Sequence, residues 1–162
     1  MSTNRASHII HYNSSHLSST DQVRFFYDLR GRGDNPGILI DTKSTFLAKS
    51  VVQVPDKSLP VFKYFLKKWG CAYRLIKVSS KADATHKLFV FDSSNLKGAV
   101  KVNFFYKLRG RAATNGIVQT TKSDYLARSV LLVPAKNYFE VVKFFREWNC
   151  DFKITEVQLR AK

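Results

Sequence analysis

Acidic side chains are scarce in this 162-residue chain: 12 Asp and Glu stand against 27 Lys and Arg, for a formal charge of +15. General acid–base or metal-dependent catalysis needs converging carboxylates or histidines, and few are on offer. Cysteine is scarcer still. Cys71 and Cys150, with four scattered histidines at 8, 11, 16 and 86, give no zinc-ligand spacing, so neither metal nor cofactor is expected. Both cysteines read as small apolar core residues in a reducing compartment. No apolar run approaches the roughly 18 residues of a membrane span, and the polar start Met1-Ser2-Thr3-Asn4-Arg5 is no secretory signal. Membrane insertion and secretion are not expected; the cytoplasm, or association with a nucleoid or nucleus, is. The chain has no P-loop, no Gly-x-Gly-x-x-Gly and no His-Glu-x-x-His.

What is present is a sequence written twice. Phe25-Phe26-Tyr27-Asp28-Leu29-Arg30-Gly31-Arg32 returns as Phe104-Phe105-Tyr106-Lys107-Leu108-Arg109-Gly110-Arg111, and the offset of 79 then holds without a gap. Across 23–78, 24 of 56 positions are identical, Gly37 and Gly116, Trp69 and Trp148, and Cys71 and Cys150 among them. The expected organisation is an arm at 1–7, a repeat unit at 8–79, a linker at 80–86, a second unit at 87–158 and a tail at 159–162. A lone unit of about 72 residues would be marginally stable, so the two are expected to form a pseudo-twofold dimer within one chain. Hydrophobic content of 44%, with 13 Phe, 7 Tyr and 2 Trp, supplies ample core. That composition argues against a disordered basic tail.

Residues 9–12 and 88–91 read as a first strand of each unit. The alternation over 23–30 puts Val23, Phe25, Tyr27 and Leu29 on one face of a second strand, with Arg24, Phe26, Asp28 and Arg30 on the other. A Gly-rich turn follows at 31–37 and 110–116. Residues 38–40 suggest a third strand and 46–54 a fourth, ended by Pro55. Phe62, Phe65, Leu66 and Trp69 recur at helical spacing, as do Val141, Phe144, Phe145 and Trp148, with Ser58 and Asn137 as N-cap residues. Residues 73–78 and 152–157 close each unit as a strand. The fold expected is α+β: two tandem units, each a mainly antiparallel sheet with one helix on its apolar face, both Trp residues largely buried.

An aromatic strand followed by Gly-Arg, here Phe25-Phe26-Tyr27 to Arg30-Gly31-Arg32, doubled in one chain, resembles the PUR repeat and the related Whirly-type fold. That resemblance implies single-stranded nucleic-acid binding on a curved sheet.

The charge points the same way independently. Residues 8–79 carry 11 basic and 5 acidic side chains and 87–158 carry 12 and 6, so each unit holds +6. Such a field attracts polyanions, nucleic acid first. The candidate contacts are Arg30, Arg32, Lys43 and Lys49 in the first unit and Arg109, Arg111, Lys122 and Arg128 in the second. Phe26 and Phe105 are candidates for base stacking. No Asp or Glu in one unit aligns with one in the other, and the repeated Ser44/Ser123 and Ser50/Ser129 have no repeated His or acid beside them. A non-enzymatic nucleic-acid-binding protein is therefore expected, with DNA favoured over RNA and low sequence specificity. Its Arg-Gly-Arg hairpins would enter a groove or clamp a strand, in compacting DNA or modifying transcription. The rival is a basic inhibitor or adaptor that docks on an acidic protein.

Overall fold

The computed structural model describes residues 6–159. It divides into two compact units, the first ending at Val78 and the second beginning at Ser79. The first runs β1 (Ser7–Asn13), α1 (Ser19–Arg30), α2 (Gly37–Asp41), β2 (Thr45–Ala48), β3 (Val51–Pro55), α3 (Leu59–Lys68) and β4 (Ala72–Val78). The second repeats this as β5 (His86–Asp92), α4 (Gly98–Arg109), α5 (Ile117–Thr120), β6 (Asp124–Ala127), β7 (Val130–Pro134), α6 (Tyr138–Glu147) and β8 (Asp151–Gln158). In the first unit β1 pairs antiparallel with both β3 and β4, and β2 pairs with β3. The second unit matches it, with β5 between β7 and β8 and β6 beside β7. Each unit is thus a split β-α-β sheet of ferredoxin-like topology. The α+β class holds, with two long helices per unit where one was expected.

Residues 23–30 form the last eight of the twelve residues of α1, not a strand. Eight residues fit both periods, and the local signals favour the helix. Ser18 caps it, its Oγ accepting from the Asp21 backbone N–H at 3.2 Å, and Asp21 lies in the positively polarised first turn. Phe25 and Leu29, four apart, are the residues α1 buries. Residues 38–40 likewise belong to the short α2, and 46–54 is a hairpin of β2 and β3 that turns at Lys49 and Ser50, the latter at φ +75°. β3 buries Val51 as well as Val52 and Val54.

Helices α1 and α3 cover one face of the first sheet. Their Phe25, Leu29, Phe62, Phe65 and Leu66 close over Ile10, Tyr12, Val52 and Val54. The second core repeats this with Phe104, Leu108, Val141, Phe144 and Phe145 over Phe89, Phe91, Leu131 and Val133. Trp69 and Trp148 are only partly buried; each sets its ring edge-to-face on Phe25 or Phe104, at 5.7 and 5.6 Å. Ser58 and Asn137 do occupy the N-cap positions, but neither side chain bonds its helix. The Asn137 amide instead donates to the Thr121 carbonyl at 2.9 Å.

Of the expected arm at 1–7, residues 1–5 lie outside the described residues. Ser7 is buried in β1, accepting from Gln53 at 2.9 Å. Of the tail, 160–162 lie outside as well, while the Leu159 N–H donates to Thr85 Oγ1 at 2.9 Å. Among the described residues no helix is long and apolar enough to cross a membrane.

Candidate functional site

Each unit carries the same closed loop at the C-terminal end of its first helix. The chain leaves α1 through Gly31 at φ +93°, whose N–H returns to the Tyr27 carbonyl at 2.8 Å. Arg32 and Asn35 then exchange two backbone hydrogen bonds, at 2.9 and 3.0 Å. Gly37 brings the chain back against the Gly31 backbone. A Cβ on Gly31 would lie 2.6 Å from the Asn35 and Pro36 carbonyl oxygens, so only glycine fits. The second unit repeats the crossing with Gly110 and Gly116, and the two-bond turn with Arg111 and Thr114. There Gln119 ties the loop further, accepting from the Gly116 N–H at 2.8 Å and donating to the Arg109 carbonyl at 2.7 Å. The Arg-Gly-Arg segment is therefore a helix end and a locked turn, and not a hairpin of two strands.

Four arginines issue from these loops, and all four lie over aromatic rings. Arg30 sits 4.8 Å from the Phe46 ring centroid, and its counterpart Arg109 sits 5.0 Å from Tyr125. Arg32 turns back over Tyr27 at 4.4 Å, and Arg111 over Tyr106 at 4.6 Å. A guanidinium over a ring is held by the ring quadrupole, and its N–H donors suit a phosphate. All four residues are exposed. The ion pairs His8–Asp56, Arg24–Asp21 and Lys87–Glu156 involve none of them.

The second unit adds a fifth stack, Arg128 over Phe105 at 5.5 Å. Phe105, Arg109, Tyr125 and Arg128 together line an open cavity of about 310 Å³. The Tyr125 hydroxyl donates to the Arg128 carbonyl at 2.6 Å, closing the β6–β7 turn. Burial raises the Tyr125 pKa, against the opposing pull of Arg109 and Arg128. The matching positions in the first unit are Phe26, Arg30, Phe46 and Lys49.

Sequence reasoning had placed Phe26 and Arg30 on one strand face. Helical spacing brings them onto one side of α1 instead, four residues apart. Three of the sequence-derived candidates, Phe105, Arg109 and Arg128, meet in the cavity. The ring partners Tyr27, Phe46, Tyr106 and Tyr125 are not among the sequence candidates: a strand reading turns Tyr27 inward with Phe25 and Leu29, away from Arg32 beyond the turn, and Phe46 and Tyr125 come from another element. Lys43 and Lys122 are exposed in the turn that precedes β2 or β6, with φ of +55° and +54°. Neither joins the ring stacks among the described residues. Burial pushes the Cys71 and Cys150 thiols up in pKa, which keeps them protonated and unreactive. Among the described residues no three His, Cys, Asp or Glu side chains gather as a metal site would require. Compared with known proteins, the chain matches no family model and no curated protein.

Proposed function

We propose that this chain is a non-enzymatic nucleic-acid-binding protein, DNA before RNA, that captures its ligand chiefly through phosphate contacts. The observation that carries the reading is the repeated pair of ring-stacked arginines, Arg30 and Arg32 in one unit and Arg109 and Arg111 in the other. Core packing does not explain them, since they are exposed. They are aimed by rigid loops, which lowers the entropy lost when a phosphate is gripped. The excess of +6 in each unit supports the same reading, because it places the attracting field on both folded bodies. Phosphate contacts position without reading bases, so low sequence specificity follows. That behaviour suits DNA compaction or a general effect on transcription, with the two units gripping one ligand as a pseudo-twofold pair.

The test is a mobility-shift titration of nuclease-treated protein, washed in high salt, against random duplex and single-stranded probes. Neutralising about six phosphates should make log K fall with log[salt] at a slope near −5 on duplex DNA, from roughly −0.9 per phosphate. A slope near zero, with affinity kept at high salt, contradicts the electrostatic mechanism. Absence of any shift, together with recovery of an acidic protein in a pull-down, favours the adaptor reading.

A further inference from the structure

The cavity of the second unit has a chemistry that plain phosphate capture does not require. Its lining is two rings and two guanidinium groups, Phe105, Tyr125, Arg109 and Arg128, with no carboxylate. We propose that it is a seat for one unstacked nucleotide, giving the protein a preference for single-stranded nucleic acid that resides in the second unit. The base lies on Phe105, and Arg109 and Arg128 take the flanking phosphates. This rests on the nucleic-acid reading above and adds to it a class of ligand and a division of labour between the units.

The volume of about 310 Å³ falls at the small end of ligand sites, roughly 300–1,000 Å³. A flat ring next to paired anion-binding forks suits a group that is planar on one side and anionic on the other. An unstacked nucleotide is such a group. A duplex offers its phosphates outside but keeps its base faces stacked within, so Phe105 has nothing to stack on there.

The ring over which the base must settle is also the least firmly covered. Arg128 stands 5.5 Å from the Phe105 centroid, the longest of the cation–ring separations, against 4.4 Å for Arg32 over Tyr27. Arg128 is exposed, in the turn between β6 and β7. A base can displace its guanidinium from Phe105, since the ion pairs among the described residues do not include Arg128, and the freed fork then turns to the phosphate. Arg109 stays in place over Tyr125, whose hydroxyl anchors the same turn through the Arg128 carbonyl at 2.6 Å. The first unit has Lys49 where the second has Arg128. A lysine is a point charge without a planar fork, so that unit acts as a charge clamp.

The experiment measures fluorescence anisotropy with a labelled twelve-nucleotide oligothymidylate and a hairpin duplex of equal phosphate count, in one buffer. The parent should bind both. Phe105→Leu should lower the ratio of single-strand to duplex affinity about five- to tenfold, as loss of one base stack does. Arg128→Lys, which keeps the charge and installs the first unit's side chain, should lower the same ratio. Because Arg128 is exposed, this second variant keeps the test valid if Phe105→Leu does not fold. Should neither variant change the ratio, the nucleotide seat is overturned while the electrostatic reading stands. Should the parent bind neither probe, the nucleic-acid reading falls and the seat with it.

Discussion

The two units differ at several packed positions and share the crossing loop after their first helix, which Gln119 ties further in the second unit. At one register position the first has His8, bonded to Asp56 at 2.7 Å, and the second has Lys87, bonded to Glu156 at 2.5 Å. The partners come from different elements: Asp56 follows β3, whereas Glu156 lies on β8. Tyr12 in one core is Phe91 in the other. By contrast, Gly31, Gly37, Arg30 and Arg32 recur unchanged as Gly110, Gly116, Arg109 and Arg111, with the same arginine-on-ring contacts. A polar pair can thus be exchanged at the position of His8 and Lys87, Lys87 being buried where His8 is only partly so. The loop glycines are retained for backbone reasons, and the exposed arginines recur together with their ring contacts. The crossing glycines and the arginine pair are thus common to both units, whereas Lys49 and Arg128 differ in the turn between the two hairpin strands.

Core substitutions at equivalent sites should show the largest and most symmetrical effects. Phe25 and Phe104 are fully buried beneath the second long helix of their units, so Phe25→Ala and Phe104→Ala should each cost about 3–5 kcal/mol in chemical denaturation. A cost below about 1 kcal/mol in either unit would show that its helix does not pack as described.

Glycines separate close approach from mere turning. Gly31→Ala and Gly110→Ala put a Cβ within 2.6–2.7 Å of backbone carbonyl oxygens at φ of +93° and +84°. Each should cost about 3 kcal/mol, the upper range for local backbone strain. Gly33→Ala meets nothing within 4 Å, and its counterpart Ala112 already holds φ +49°. It should cost no more than about 1 kcal/mol. Equal losses for Gly31→Ala and Gly33→Ala would refute the crossing-chain account of the loop.

Alkaline stability should distinguish the units through Tyr12. Burial pushes its pKa up to about 12 from the ordinary 10.0. The folded state thus favours the neutral phenol, and this contribution is fully present below pH 10 and lost as pH rises from 10 towards 12. The difference corresponds to about 2–3 kcal/mol. Tyr12→Phe copies the residue at position 91 and should flatten this part of the stability–pH curve while preserving the fold. A parent and variant that lose stability in parallel above pH 10 would show that Tyr12 does not titrate with unfolding.

The repeat, the first and last strands of each unit, and α3 and α6 were legible in the sequence because their apolar periods are long or cleanly bounded. The stretch from Ser19 to Asp41 was not, apart from the turn after Arg30, and the single strand expected at 46–54 is the β2–β3 hairpin. Val23, Phe25, Tyr27 and Leu29 alternate as in a strand, while Phe25, Phe26 and Leu29 are equally helical, and only the Ser18–Asp21 cap distinguishes the two. The second unit lacks even that signal, since Lys97 caps α4 without a side-chain bond. For the site, counting repeated cations identified Arg30, Arg32, Arg109 and Arg111. It could not identify their ring partners, because Phe46 and Tyr125 come from a different element and meet the arginines only through tertiary packing.

The most direct test of shared phosphate capture is the salt dependence of DNA binding after removing the loop arginines of one unit at a time. Arg30→Ala with Arg32→Ala, and separately Arg109→Ala with Arg111→Ala, should leave the fold intact, since all four side chains are exposed. Each double variant should make the slope of log K against log[salt] shallower by about 2 on duplex DNA, with affinity reduced alike across sequences. If both variants keep the parent's slope and affinity, these arginines are not the phosphate contacts and the central claim is contradicted.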